Sequence, residues 1–332
     1  MPNWIGDLVM ATPVLTDLRA AFPKASITAM SRTPLCELLK EDASIDELFC
    51  FTKPPNKFLR RQEKRNIIAK IAAGKFDTAL LLTNSFSSAW WCWQGKIPRR
   101  IGYSVHLRRL LLTDPVTLPK ETMHQVDLYK KLLEPLGIPH SSTVPRLYVS
   151  KKEVEESKQL LYQRGYVRGK PLIGINPGAA YGSAKCWPPE RFRALALELL
   201  KEGFVVFFGD ASTFGLVREI CRGLPEKAMN LAGVTSLREL ACIIKDCDLL
   251  ITNDSGPMHI AAAFDTPLVA LFGSTDDTAT GPYGKNEAVI NKRVSCSPCF
   301  KRVCPIDFRC MKEIGVEEVA AKAKEILSVR RT

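Results

Sequence analysis

No apolar run in this chain of 332 residues approaches the ~18 needed to cross a bilayer, so a membrane-spanning helix is not expected. The first residues include Asp7 and lack the basic-then-apolar pattern of an export signal, which makes the cytoplasm the expected location. Neither half carries Gly-x-Gly-x-x-Gly after its first strand, and Gly-x4-Gly-Lys-Ser/Thr is absent as well. A dinucleotide oxidoreductase and a P-loop ATPase are thereby disfavoured. Aromatic residues are not interleaved with the basic clusters, so there is no stacking platform for single-stranded nucleic acid, and no nucleic-acid partner is expected. No internal repeat is evident.

The acidic residues are outnumbered. Lys and Arg total 47 against 35 Asp and Glu, a net charge of +12. Residues 1–150 hold 21 basic against 13 acidic side chains, concentrated at Lys53, Lys57, Arg60, Arg61, Lys64 and Arg65 and again at Arg99, Arg100, Arg108 and Arg109. Such clusters suit a phosphorylated substrate or an anionic membrane face, and equally an ordinary solvated helix face. The 46% hydrophobic and 25% charged content is that of a globular protein, and the length favours two domains.

Short apolar runs alternate with helical patterns throughout, the signature of an α/β protein with parallel sheets. Strands are expected at 26–31, 47–51 and 77–83, then at 171–176, 204–209, 228–231, 248–252 and 267–272. Helices are expected after Asp7 and Thr33, over 61–73, 85–93 and 124–135, and over 151–164, 189–202, 213–223 and 236–245. The Pro- and Ser-containing stretch Gly137–Ser150 reads as the link between domain 1–150 and domain 151–332. Two doubly wound domains facing a cleft, with ligand at the carboxyl ends of the strands, follow from this pattern.

Three segments stand out. Thr252-Asn253-Asp254-Ser255-Gly256-Pro257-Met258-His259 joins an apolar strand to a small-residue helix, with Pro257 suited to the first turn. The helix N-terminus there attracts phosphate, although Asp254 or Ser255 could simply cap it, and His259 could donate to a phosphate or serve packing. Asn176-Pro177-Gly178-Ala179-Ala180-Tyr181-Gly182-Ser183-Ala184-Lys185 follows the first strand of the second domain. Its small residues allow close backbone approach to a ligand and Lys185 supplies a cation. Asp7, in Pro2-Asn3-Trp4-Ile5-Gly6-Asp7, sits where a helix begins, as a cap or as a general base.

The 11 cysteines are mostly scattered singly, as reduced buried thiols would be. Cys296, Cys299, Cys304 and Cys310 are the exception. A four-thiolate zinc or iron site there would match no common ligand spacing, and a loop of free thiols is the preferred reading.

Taken in order, Pro2-Asn3-Trp4-Ile5-Gly6-Asp7, Asn84-Ser85-Phe86, the Pro177–Pro188 loop and Thr252–His259 resemble the ADP-heptose:lipopolysaccharide heptosyltransferases of glycosyltransferase family 9 over essentially the whole chain. Arg100-Ile101-Gly102-Tyr103, His124-Gln125-Val126-Asp127 and the Cys296–Cys310 loop add to the likeness. Within the family, the tyrosine-containing Lys185 loop and Asn84-Ser85-Phe86 are more similar to type II than to type I. The resemblance implies a GT-B architecture, with an N-terminal acceptor domain and a C-terminal nucleotide-sugar domain whose last helix packs back on the first. It implies Asp7 as catalytic base. Gly178, Ala179, Lys185, Asp254, Ser255, Gly256, Met258 and His259 fall on the side of the donor, ADP-heptose, and no cofactor is required. Asn84, Arg60 and Arg61 fall on the side of a phosphorylated lipid A–Kdo–heptose acceptor, met peripherally at the inner membrane.

Two departures follow. Family members carry a strand ahead of the Asp7 segment, so either the start codon is misassigned or the first domain lacks a central strand. Only Asp210 lies where relatives place an acidic ribose contact. Another nucleotide-sugar transferase, a sugar-nucleotide epimerase, a basic nucleic-acid binder and a Cys-rich metal protein are the alternatives.

Overall fold

A computed structural model describes residues 1–225, 228–284 and 287–329, and the backbone alone of Glu287. The chain divides between Pro145 and Arg146, inside the expected linker, into two α/β units.

The second unit is built on one six-stranded parallel sheet. Its strands are β6 (Leu172–Asn176), β7 (Phe204–Phe207), β8 (Ala228–Asn230), β9 (Leu249–Asn253), β10 (Leu268–Phe272) and β11 (Glu287–Asn291), in the order β11-β10-β9-β6-β7-β8. Every residue of β6, β7, β9 and β10 is buried, as a sheet covered by helices on both faces requires. Order reverses at β6 and β9, so the loops leaving these two strands lie side by side at a topological switch point. Those are the Pro177 and Asp254 segments.

Local sequence fixes the helices. Ser236 and Glu239 form a capping box at Leu237–Asp246, as Ser150 and Glu153 do at Lys151–Tyr162. The last helix, Val316–Val329, buries Val319, Ala320, Ala323 and Leu327 and packs on helix Pro189–Leu199 and on β9 and β10 of its own unit.

The first unit holds two separate parallel sheets. One pairs β1 (Thr28–Arg32) with β2 (Glu47–Phe51), and the other orders β3 (Thr78–Leu81), β4 (Arg99–Tyr103) and β5 (Asp114–Val116). A cavity of about 1050 Å³ is lined by both, including Ala29, Met30, Leu80 and Leu81. The Met1 amine reaches the Met30 carbonyl at 2.7 Å.

Three strands had no counterpart among the sequence expectations: β4, β5 and β11. Helix Lys57–Ala73 begins four residues before the expected 61, because Asn56 Oδ1 accepts from the N–H groups of Phe58 and Leu59 at 2.8 and 3.3 Å. The reading of scattered thiols also needs correction. Cys36 and Cys50 are joined in a disulfide between helix Thr33–Cys36 and β2, while nine cysteines are free. Spacing of 14 residues gave no sign of this, since strand pairing of β1 with β2 is what brings the two together.

Candidate functional site

In the second unit the two loops converge on Lys185. Its Nζ lies 2.5 Å from Asp254 Oδ2, an ion pair whose side chains are 13% and 5% exposed. Thr275 Oγ1 donates to the same oxygen at 2.6 Å, and the Tyr181 ring centroid lies 4.8 Å from Nζ. An ammonium gripped in this way has donors left over but little freedom to wander, which suits a fixed cation facing an anion.

Beside it, helix Gly256–Ala263 starts with no side-chain cap. Ser255 is at the capping position, yet its Oγ is turned to Asn176 Nδ2 at 2.9 Å and Thr252 Oγ1 at 3.1 Å. The positive end of this helix is therefore left for an anion. Met258 has no exposed surface and His259 is 5% exposed. The Met258 N–H donates to the Ser255 carbonyl at 3.2 Å, inside the first turn of the helix.

Backbone placement is held by groups that the sequence did not advertise. Asn253 accepts from the Trp187 N–H at 2.9 Å and donates to the Pro177 carbonyl at 2.7 Å, so it ties both ends of the Lys185 loop to the end of β9. Asn176 Nδ2 also reaches the Gly178 carbonyl at 3.0 Å. Gly178 is buried against Thr213, where an added Cβ would meet Cγ2 at 2.8 Å, and Ala179 next to it is half-buried.

The cysteine-rich loop has a place here. Ala184 N–H donates to the Arg302 carbonyl at 3.0 Å, Tyr181 Oη donates to the Phe300 carbonyl at 2.8 Å, and the Arg302 guanidinium lies 5.2 Å from the Tyr181 ring. The loop braces the lysine loop from outside. Its four thiols, Cys296, Cys299, Cys304 and Cys310, are unbonded, and among the described residues no group of three or more His, Cys, Asp or Glu is placed to hold a metal ion. Asp210 holds Ser212 and Thr213 through hydrogen bonds of 2.6 and 3.0 Å, and these contacts, Ser212 foremost, keep its carboxyl below the ordinary range.

In the first unit Asp7 lies in the opening turn of helix Ile5–Met10. Tyr129 donates to its Oδ1 at 3.1 Å. Burial, then the Asp7 charge, push the Tyr129 phenol well above its ordinary value, so this donor keeps its proton. The capping position of this helix is Trp4, whose side chain makes no capping hydrogen bond. Asn84 is exposed at the foot of helix Phe86–Gln94 and accepts from Arg108 at 3.3 Å. Arg61 is exposed, whereas Arg60 spends its Nε and Nη2 on the carbonyls of Pro54 and Pro55, both at 3.1 Å.

The second unit is therefore a doubly wound α/β fold whose sheet switch point carries an uncapped helix end and an anchored lysine in place of a glycine-rich dinucleotide turn. The profile of glycosyltransferase family 9 (heptosyltransferase) matches residues 65–308, and the chain belongs to that family. It is 33% identical to lipopolysaccharide heptosyltransferase 2 of Salmonella typhimurium over 303 residues, 87% of this chain and 86% of the relative. The corresponding figure for the Escherichia coli heptosyltransferase 2 is 33% over 302 residues, with the same coverage. Among solved structures, that of E. coli ADP-heptose LPS heptosyltransferase II superposes with a TM-score of 0.85 at 29% identity, covering 100% of this chain and 98% of that one. A family 9 glycosyltransferase from Veillonella parvula gives a TM-score of 0.88 at 28% identity, over 98% and 95%. The protein is a glycosyltransferase of GT-B architecture, a chain of two Rossmann-like units.

Proposed function

We propose that this protein transfers L-glycero-D-manno-heptose from ADP-heptose to the heptose–Kdo–lipid A inner core during lipopolysaccharide core synthesis. The observation that carries the reading is the Lys185–Asp254 pair beside the uncapped helix at Gly256, in a chain one-third identical to heptosyltransferases 2.

The reaction is a single displacement with inversion. The acceptor hydroxyl oxygen attacks the anomeric carbon, its proton passes to the Asp7 carboxylate, and the anomeric C–O bond to the diphosphate breaks. ADP leaves with the electron pair. The transition state has oxocarbenium character. Charge growing on the diphosphate is met by Lys185 and by the N–H groups at Gly256, with Gly178, Ala179, Ser255 and His259 around the donor. Asp254 works through Lys185: a carboxylate accepts hydrogen bonds only, so beside a diphosphate its use is to aim the ammonium. Tyr129 orients Asp7. No metal or cofactor is needed for this chemistry. Asn84 and the basic surface at Arg61 receive the phosphorylated acceptor, with the enzyme working peripherally at the cytoplasmic face of the inner membrane.

The test is product analysis with ADP-heptose and with UDP-sugars, on acceptors carrying no heptose and one heptose. Transfer from ADP-heptose to the mono-heptosylated acceptor, with the linkage determined, is expected. Preference for a UDP-sugar, or epimerised donor without transfer, would replace this reading.

A further inference from the structure

We propose that the first unit carries a docking face for an anionic lipid bilayer, formed by helix Phe86–Gln94 and the 3₁₀ turn His106–Leu111. The proposal rests on the reading above for its lipid-linked acceptor and names the surface that meets the membrane.

Phe86, Trp90 and Trp93 recur at i, i+4 and i+7, one stripe of the helix, and are 51%, 38% and 45% exposed. Ala89 and Cys92, on the face beside this stripe, are buried in the core. The three rings run together, with centroids 6.1 Å apart for Phe86–Trp90 and 5.0 Å for Trp90–Trp93. Helix caps and core packing leave these rings unexplained.

The turn adds a second ridge. Leu107 and Leu110 are 74% and 83% exposed, and three residues make one 3₁₀ turn, so both rise on the same side. Arg108 between them points inward, 1% exposed, and its Nη1 donates to the Thr83 carbonyl and to Asn84 Oδ1. That contact fastens the turn to the start of the helix, and the two elements pack together. Grouped exposed apolar side chains of this size mark an interaction surface.

Charge selects the occupant. Residues 53–113 hold 13 Lys and Arg against 2 Asp and Glu, nearly all of the chain's excess of +12, and residues 78–113 contain no acid at all. Lys96 and Arg109 are exposed at the ridges, and the basic helix Lys57–Ala73 packs against helix Phe86–Gln94. Tryptophan favours the lipid headgroup level, leucine the acyl boundary, and lysine and arginine the anionic headgroups. A nucleic acid would use the charge and leave Leu107 and Leu110 without a function.

The experiment uses the full chain with vesicles of phosphatidylcholine alone and with about one-third phosphatidylglycerol added. Co-sedimentation with the anionic vesicles, a blue shift of tryptophan emission and quenching by brominated acyl chains are expected. Leu107→Ser with Leu110→Ser should lower partitioning by about tenfold or more, and Lys96→Glu with Arg109→Glu should do so as well while weakening its salt dependence. Transfer to a water-soluble acceptor without acyl chains should be unchanged in the leucine double variant. Equal binding to both vesicle types, or variants that bind like the wild type, would overturn the proposal. Failure of the glycosyl-transfer reading shows separately, as vesicle binding without transfer to the soluble acceptor.

Discussion

Lys185 and Asp254, 69 residues apart in sequence, meet at 2.5 Å where the loops after β6 and β9 lie side by side. The carboxylate is almost without solvent, so the pair is held by mutual attraction and by Thr275. Lys185→Ala removes the cation from the departing diphosphate and should lower kcat at least ~100-fold. Asp254→Asn keeps the shape and the Thr275 contact but frees the ammonium, and about a tenfold loss is expected. Steady-state kinetics on both variants, with circular dichroism to confirm the fold, check the order of these effects.

Asp7→Asn should lower kcat ~100-fold and leave ADP-heptose affinity unchanged, because a general base is needed only once the acceptor is in place. Tyr129→Phe removes one orienting hydrogen bond of 3.1 Å and should cost up to about tenfold. Donor titration by calorimetry beside turnover separates the two. An Asp7→Asn enzyme of normal rate would remove Asp7 from the mechanism.

Arg60 and Arg61, adjacent in sequence, should behave differently. Arg61→Ala should raise acceptor KM and leave donor binding alone. Arg60→Ala releases the Pro54 and Pro55 carbonyls and should also lower the melting temperature, by the loss of about 1–2 kcal/mol. An unchanged acceptor KM for Arg61→Ala would contradict the acceptor role of this surface.

Gly182→Ala tests the brace. A Cβ there would meet the Arg302 carbonyl oxygen at 2.3 Å, and backbone cannot yield as a side chain can. The substitution should push the lysine loop off the cysteine-rich loop, at a cost of about 1–3 kcal/mol, and raise donor KM. Gly178→Ala faces the Thr213 side chain at 2.8 Å and should do less damage. Melting temperatures and donor titrations of the two variants give the comparison.

Stability should depend on acid through Glu153. The Arg238 guanidinium, bonded at 2.7 and 2.9 Å, holds this carboxyl down to about 2 from 4.5. A depressed carboxyl pKa gives stability that is complete above the unfolded value and is lost as pH falls through the folded one. The contribution, at most about 3 kcal/mol, should therefore disappear between pH 4.5 and about 2. Glu153→Gln should abolish that component of the urea-unfolding pH profile; a variant with the wild-type profile would assign the acid dependence elsewhere.

How much of this was legible follows from where the information lies. Strands β7 and β10 are apolar throughout, and β6 and β9 are so up to their polar ends, so all four could be read directly. Strands β4, Arg-Arg-Ile-Gly-Tyr, and β5, Asp-Pro-Val, carry charge or proline and owe their state to pairing with β3 and with each other. At the site, Lys185, Gly256 and Ser255 stood out because small or cationic residues followed apolar runs. The roles of Asn253, Thr275 and Arg302 did not, since each acts through a partner distant in sequence. His259 and Met258 are both buried in the first turn of helix Gly256–Ala263, which the sequence pattern did not disclose.

The account stands on where the donor's diphosphate sits. Diffraction from crystals soaked with ADP-heptose, or with an unreactive analogue of it, reads this directly. Phosphate oxygens within hydrogen-bonding distance of Lys185 Nζ and the Gly256 N–H are predicted, with Asp254 still on the lysine. A diphosphate bound away from both groups would contradict it.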